Sequence, residues 1–245
     1  MSVSAYDAIA EWYDESVRSG SLIHDLALPA LFALTGPVVG QKICDLACGQ
    51  GVVTRHLAEQ GAAVVGIDLS EKLLTIARRD EESAPLGIVY RHGDAQRLDA
   101  IADATFDGVA CNMALMDIPH LAATLHTVRR ILRPGGWFVF SIIHPCLEIA
   151  LGRPRLVPDD RGTHEVRSYF VEGAWRADNP DGVRGRVDAY HRTMSTYVNT
   201  LVETGLMIER LSEPQATGSH AERIPSHRDI PAILAVRCRK VAAYA

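Results

Sequence analysis

Three carboxylates and two glycines sit where strand patterns give way to other structure. Residues 42–46, Lys-Ile-Cys-Asp-Leu, are an apolar strand pattern broken by one acid, Asp45. Ala47-Cys48-Gly49-Gln50-Gly51 follows, and an apolar helical pattern then runs over 51–60. Gly49 and Gly51 let the backbone approach a ligand closely, and the first N–H groups of the next helix have no partner inside it. The turn therefore suits a charged or hydrogen-bonding ligand. A dinucleotide fingerprint, G-x-G-x-x-G/A, needs a small third residue where this chain has Thr54. Asp45, four residues before Gly49, would repel a pyrophosphate and suit a cation. Asp68 ends a second strand pattern, where this kind of fold hydrogen-bonds ribose hydroxyls. Asp94 follows a third, in Gly93-Asp94-Ala95, where a carboxylate can accept from an exocyclic amine.

The elements that carry these residues alternate. Strands are predicted at 42–46, 63–68, 87–91, 106–111 and 137–143, and helices at 51–60, 71–80 (with Ser70 as N-cap) and 121–132. Arg133-Pro134-Gly135-Gly136 is a turn. Five strands alternating with helices give right-handed βαβ units and a parallel, doubly wound sheet. Two helices precede it, at 5–18 with an aromatic stripe and at 22–34, ended by Gly36-Pro37. After 143 the alternation breaks. Residues 145–189 are rich in Pro, Gly and charge, with a hairpin predicted from 166–171 and 174–177, and are read as a cover over the carboxyl ends of the strands. A helix at 190–203, a strand at 206–211, a polar loop at 212–230 and a strand at 232–238 complete the chain, the last two strands forming an antiparallel pair. The fold class is α/β: a seven-stranded, doubly wound, Rossmann-like sheet with an antiparallel seventh strand, in one domain over 1–245, with lid helices at 1–36 and the insertion at 145–189.

The three carboxylates together ask for a ligand with an ammonium group, a ribose, an adenine and no phosphate; S-adenosylmethionine has those parts. The constellation resembles the class I S-adenosylmethionine-dependent methyltransferases over nearly the whole chain outside the insertion. The family's D-x-G-x-G-x-G matches Asp45-Leu46-Ala47-Cys48-Gly49-Gln50-Gly51, with Ala47 in place of the first glycine. Asp68, Gly93-Asp94-Ala95 and Leu132-Arg133-Pro134-Gly135-Gly136 match its later elements. The resemblance implies Asp45 near the methionine ammonium, with Ala47, Gly49 and Gly51 packed on the cofactor. It implies Asp68 with Leu69 at the ribose, Asp94 with the Ala95 N–H at the adenine, and Asn112 and Tyr13 beside the cofactor.

Macromolecular amino-methyltransferases carry Pro-Pro-Tyr or Pro-Pro-Phe after the fourth strand; here the stretch is Asn112-Met113-Ala114-Leu115-Met116-Asp117, which implies a small-molecule acceptor. The opening helix resembles the lid of small-molecule methyltransferases, with Tyr6 and Trp12 toward the acceptor. His144-Pro145-Cys146 and Tyr190-His191-Arg192 resemble a bacterial tailoring subgroup that includes nitrogen methyltransferases of toxoflavin-type azapteridines. His144 at a strand's carboxyl end is a candidate base, with a hydrogen-bonded histidine fixing the insertion as its other reading; Asp117 is a second catalytic candidate, and for it and His191 a substrate orienter or a cap is the other reading. Met116, Trp175, Tyr190 and His191 are candidate acceptor contacts. A ring nitrogen is the specific acceptor read here, with oxygen methylation of a phenol or carboxylate as the alternative. A non-methylating S-adenosylmethionine-binding protein and a nicotinamide-dependent oxidoreductase stay open.

Composition bounds the rest. The 245 residues are 47% hydrophobic and 22% charged, ordinary globular values. A net charge of −5 with no basic stripe argues against nucleic acid or an anionic membrane as partner. Five cysteines, an odd number, read as reduced apolar fillers. His220 and His227 lack metal-ligand spacing with a third partner, so no metal is expected. The start has no signal-peptide character and no run of about 18 apolar residues occurs, so a cytoplasmic monomer or homodimer is expected.

Overall fold

The computed structural model describes residues 4–147, 169–178 and 180–241. After a 3-10 turn at Ala5–Ala8, the elements are α1 (Ala10–Arg18), α2 (Leu22–Thr35), β1 (Lys42–Leu46), α3 (Val52–Glu59), β2 (Ala63–Asp68), α4 (Glu71–Ser83) and β3 (Val89–His92). They continue with β4 (Phe106–Asn112), α5 (Leu121–Ile131), β5 (Leu132–Ile143), β6 (Gly173–Trp175), β7 (Ala189–His191), α6 (Met194–Glu203), β8 (Leu206–Ser212), α7 (Gly218–Arg223) and β9 (Ile233–Lys240). The seven-stranded sheet runs β3-β2-β1-β4-β5-β9-β8. Neighbours from β3 to β5 pair parallel; β9 is antiparallel to both β5 and β8. The order reverses between β1 and β4, the switch point where open α/β sheets bind ligands.

Alternation along β1 explains why it lies inside. Ile43 faces a layer with Leu31, Leu34, Val53 and Leu57 of α2 and α3, whereas Cys44 and Leu46 face the layer built on α5 and α6. A strand buried on both faces is held by packing on each side, so its carboxyl end is fixed with its neighbours. Ser70 caps α4 as expected, its hydroxyl accepting from Leu73 N–H at 3.2 Å.

The sequence reading needs four corrections. The helix predicted at 190–203 starts at Met194: Thr193 is its N-cap, accepting from Thr196 N–H at 3.2 Å, and Tyr190 and His191 belong to β7. The predicted hairpin is replaced by antiparallel pairing of β6 with β7, Ala174 opposite Tyr190; residues 166–168 of that prediction lie outside the described residues. The polar stretch 212–230 contains α7, so β8 and β9 are joined through a short helix. The turn at 133–136 falls within β5, which begins at Leu132 opposite Phe106. All five cysteines are free, and among the described residues no helix is long and apolar enough to cross a membrane.

Candidate active site

A cavity of about 330 Å³ opens at the carboxyl ends of β1, β2 and β4. Its floor is the turn after β1. Ala47 and Gly49 both hold left-handed φ, 56° and 57°. For Ala47, which stands where the family motif has glycine, that conformation costs about 1–2 kcal/mol. Met113, just past β4, is also left-handed at 54° and lines the same cavity. Non-glycine residues in this region concentrate where surroundings over-determine the backbone for a purpose.

Asp68 ties the turn to β2. One carboxylate oxygen accepts from Gly49 N–H at 2.7 Å, the other from Ser70 N–H at 2.7 Å, and burial pushes its pKa up. Asp94 is held by Gln96, whose backbone N–H (2.9 Å) and side-chain amide (3.0 and 3.2 Å) both donate to it. Gln96 also lines the cavity and accepts from His120 N–H at 3.1 Å; sequence reading missed it. Asn112 accepts from the Ser141 hydroxyl at 2.7 Å.

Asp45 lies one layer deeper, 1% exposed, and accepts the Thr54 hydroxyl at 2.5 Å. Burial lifts its pKa to about 7, the Thr54 bond opposing and the nearby Asp68 charge reinforcing the rise. The folded chain thus keeps a proton that the unfolded chain loses from about pH 4 upward. The stability of the wild type relative to Asp45→Asn should fall as pH rises from about 4 to about 7 and level off above. Urea denaturation across that range checks it, and a flat difference would contradict the shift.

The roof comes from the chain's start and from the segment after β4. The Tyr6 hydroxyl donates to Asp117 at 2.9 Å, and Arg184 pairs with the other Asp117 oxygen. Tyr6 and Tyr13 meet edge to face at 5.1 Å, and burial with the Asp117 charge raises both phenols, so both stay protonated donors. Asp7 accepts from the Ser70 hydroxyl at 2.6 Å, which fastens the opening turn to α4. Arg192, buried, donates to the carbonyls of Leu115 (3.0 Å), Ile118 (2.6 Å) and Pro119 (2.9 Å) and so fixes the loop that carries Asp117. Neither Arg184 nor Arg192 was singled out as a site residue in the sequence.

Of the predicted site residues, the cavity brings together Tyr6, Tyr13, Ala47, Gly49, Asp68, Leu69, Asp94, Ala95, Asn112 and Asp117. Asp45 lines a smaller adjoining recess. The others lie elsewhere. Gly51 packs against Tyr90, Met116 is in the core, and Trp12 stacks under the Arg186 guanidinium at 4.2 Å. Trp175 and Tyr190 are in the small β6–β7 sheet, and His191 bonds the Tyr169 carbonyl at 2.9 Å. His144 is 4% exposed; its Nδ1 accepts from Cys146 N–H at 3.2 Å and its Nε2 meets Glu213 at 2.9 Å, so both ring nitrogens are engaged outside the cavity. Burial lowers its pKa, against the pull of Glu213. This is the arrangement of a histidine that fixes a loop, not of one offered to an acceptor.

The described residues lining the cavity include no lysine or arginine, so no cationic side chain there matches a phosphate, while three carboxylates, Asp68, Asp94 and Asp117, line it. The donor set fits a cationic nucleoside. Comparison with known proteins agrees. A family model described as a methyltransferase domain matches residues 44–140. A crystal structure of an S-adenosylmethionine-dependent methyltransferase from Mesorhizobium loti is 33% identical with a TM-score of 0.75, covering 89% of this chain and all of that one.

This chain belongs to the class I S-adenosylmethionine-dependent methyltransferases.

S-adenosylmethionine is the cofactor of this methyltransferase. Two curated relatives are named ubiquinone biosynthesis O-methyltransferase. The one from Bordetella pertussis is 30% identical over 223 residues, 82% of this chain and 92% of the relative. The one from Alkalilimnicola ehrlichii is 31% identical over 178 residues, 69% and 71% respectively. Among the described residues of the methyltransferase, no group of three or more His, Cys, Asp or Glu is arranged to hold a metal.

Proposed function

We propose that this methyltransferase acts on a hydroxyl oxygen of a small aromatic acceptor. The observation that carries the reading is the Tyr6–Asp117 pair on the cavity wall, a hydroxyl donating to a carboxylate, with Arg184 pairing that carboxylate from outside the lining. A hydroxyl acceptor must lose a proton on methylation, and a carboxylate reached through one hydroxyl can take it. The names of the Bordetella and Alkalilimnicola relatives support oxygen as the acceptor atom.

In this reading Asp68 takes the ribose hydroxyls, Asp94 with Ala95 N–H the adenine, and Asp45 faces the methionine ammonium. Bound S-adenosylmethionine supplies an electrophilic methyl group. The chain's part is to align the acceptor oxygen, exclude water under Tyr6 and Tyr13, and receive the proton: the acceptor's proton passes to the Tyr6 oxygen as the Tyr6 proton passes to Asp117. Alignment of this kind supplies much of the rate in a displacement. The opening turn with α1 and α2 is the lid; of the cover expected at 145–189, residues 148–168 and 179 lie outside the described residues, and Val187 lines the cavity.

A ring nitrogen of a flat heterocycle, such as a toxoflavin-type azapteridine, is the weaker reading. The steps that suggested it, His144-Pro145-Cys146 and Tyr190-His191-Arg192, line neither cavity nor recess.

Asp117→Asn separates the two. With a phenolic acceptor it should lower kcat about 100-fold or more, leaving S-adenosylhomocysteine affinity within about twofold of wild type, as calorimetry and steady-state kinetics would read. Full turnover in the variant would remove Asp117 from proton transfer and favour a nucleophile with no proton to lose.

A further inference from the structure

The large cavity adjoins a recess of about 40 Å³ lined by Tyr13, His24, Asp45, Gln50 and Asn112 among others. One wall of it carries an unexplained donor. Gln50 is 5% exposed, and its amide nitrogen, with two N–H groups, has no hydrogen-bond partner among the described residues. An unpaired buried amide is costly, and folded proteins keep few of them without a ligand or an ordered water. His24, from α2, stands on the same recess with its Nδ1 occupied by Ser21 at 2.9 Å, which leaves Nε2. Asp45, an acceptor that commits one oxygen to Thr54, lines the same recess.

A recess lined by both donors and a carboxylate matches an α-amino acid, whose carboxyl and amino groups carry opposite charge. Its size agrees. A water needs about 10–15 Å³ of such space, so the recess takes a group of about three heavy atoms, such as a carboxylate, and no ring. We propose that the Gln50 amide, with His24 beside it, binds the carboxylate of the cofactor's methionyl end and thereby distinguishes the whole cofactor from its adenosyl fragment. The proposal rests on the cofactor identified above.

The test uses two ligands that differ only at that end: S-adenosylhomocysteine, and 5′-methylthioadenosine, which lacks the amino acid. Each is titrated by calorimetry into wild type, Gln50→Leu and the isosteric Gln50→Glu. A hydrogen bond from a neutral amide to a carboxylate corresponds to about tenfold or more in affinity. Gln50→Leu should therefore weaken S-adenosylhomocysteine by about that factor, and Gln50→Glu by more, while 5′-methylthioadenosine stays within about twofold for both. Unchanged S-adenosylhomocysteine affinity would overturn the proposal, and the amide would then belong to a water. A parallel loss of both ligands would also overturn it, reducing Gln50 to a support of the glycine turn. Failure of the wild type to bind either ligand would instead strike at the cofactor.

Discussion

Replacing Asp68 by alanine is expected to weaken S-adenosylhomocysteine binding by about 2–3 kcal/mol, on the order of 30- to 150-fold. The carboxylate lines the cavity and accepts two backbone N–H groups, from Gly49 and Ser70, that fix the turns after β1 and β2. Alanine removes a charged partner for ribose hydroxyls and frees both turns at once. Asp68→Asn distinguishes these contributions. The amide keeps an oxygen that can hold one turn, so it should recover part of the affinity but not all of it. Calorimetry at neutral pH reads both variants, and affinity unchanged in Asp68→Ala would contradict the role given to this residue.

The second large effect is on folding. Gly51 has a φ of +91°, and a Cβ built there would overlap the Tyr90 hydroxyl and crowd the ring behind it, at 3.1 and 3.3 Å. The Tyr90 ring packs close over Gly66, where a Cβ would come within 2.7 Å of it, so the ring is confined on that side. Gly51→Ala therefore combines a left-handed alanine, about 1–2 kcal/mol, with overpacking, about 1–3 kcal/mol. A loss of about 2–5 kcal/mol should lower the thermal midpoint by roughly 4–20 °C in a chain of this size. Gly40→Ala is the internal reference: its φ is +72°, but nothing lies within 4 Å of the place its methyl group would take, so only the backbone part applies. Equal midpoints for the two variants would show that the Tyr90 contact is relaxed without cost.

The floor of the cavity was legible because it is local. Asp45, Gly49 and Gly51 fall within seven residues, and Asp68 and Asp94 end or follow strands whose apolar patterns are plain, so spacing alone brings them to one edge of the sheet. The rest depends on partners far apart in the chain. Asp117 is held by Tyr6 and Arg184, 111 and 67 residues away, and His144 by Glu213, 69 residues away. No periodicity encodes such pairs. His144 at the end of β5 therefore looked available from the sequence, although both its nitrogens are engaged. The start of α6 was misplaced for a different reason. Tyr190 and His191 continue an acceptable helical pattern, but pairing with Ala174 and Gly173 draws them into β7, and Glu172 fastens the true cap by accepting from the Thr193 N–H at 2.8 Å and hydroxyl at 2.9 Å. The local cue was present in Thr193 itself, a good N-cap residue three positions into the supposed helix.

The most direct test of the whole account is turnover of methyl-labelled S-adenosylmethionine against a panel of small phenols and nitrogen heterocycles, with products identified by mass spectrometry. A labelled methyl ether is expected from at least one phenol, with its formation sharply reduced in Asp117→Asn while S-adenosylhomocysteine still binds. Label carried only by a ring nitrogen, at a rate indifferent to Asp117, would contradict it.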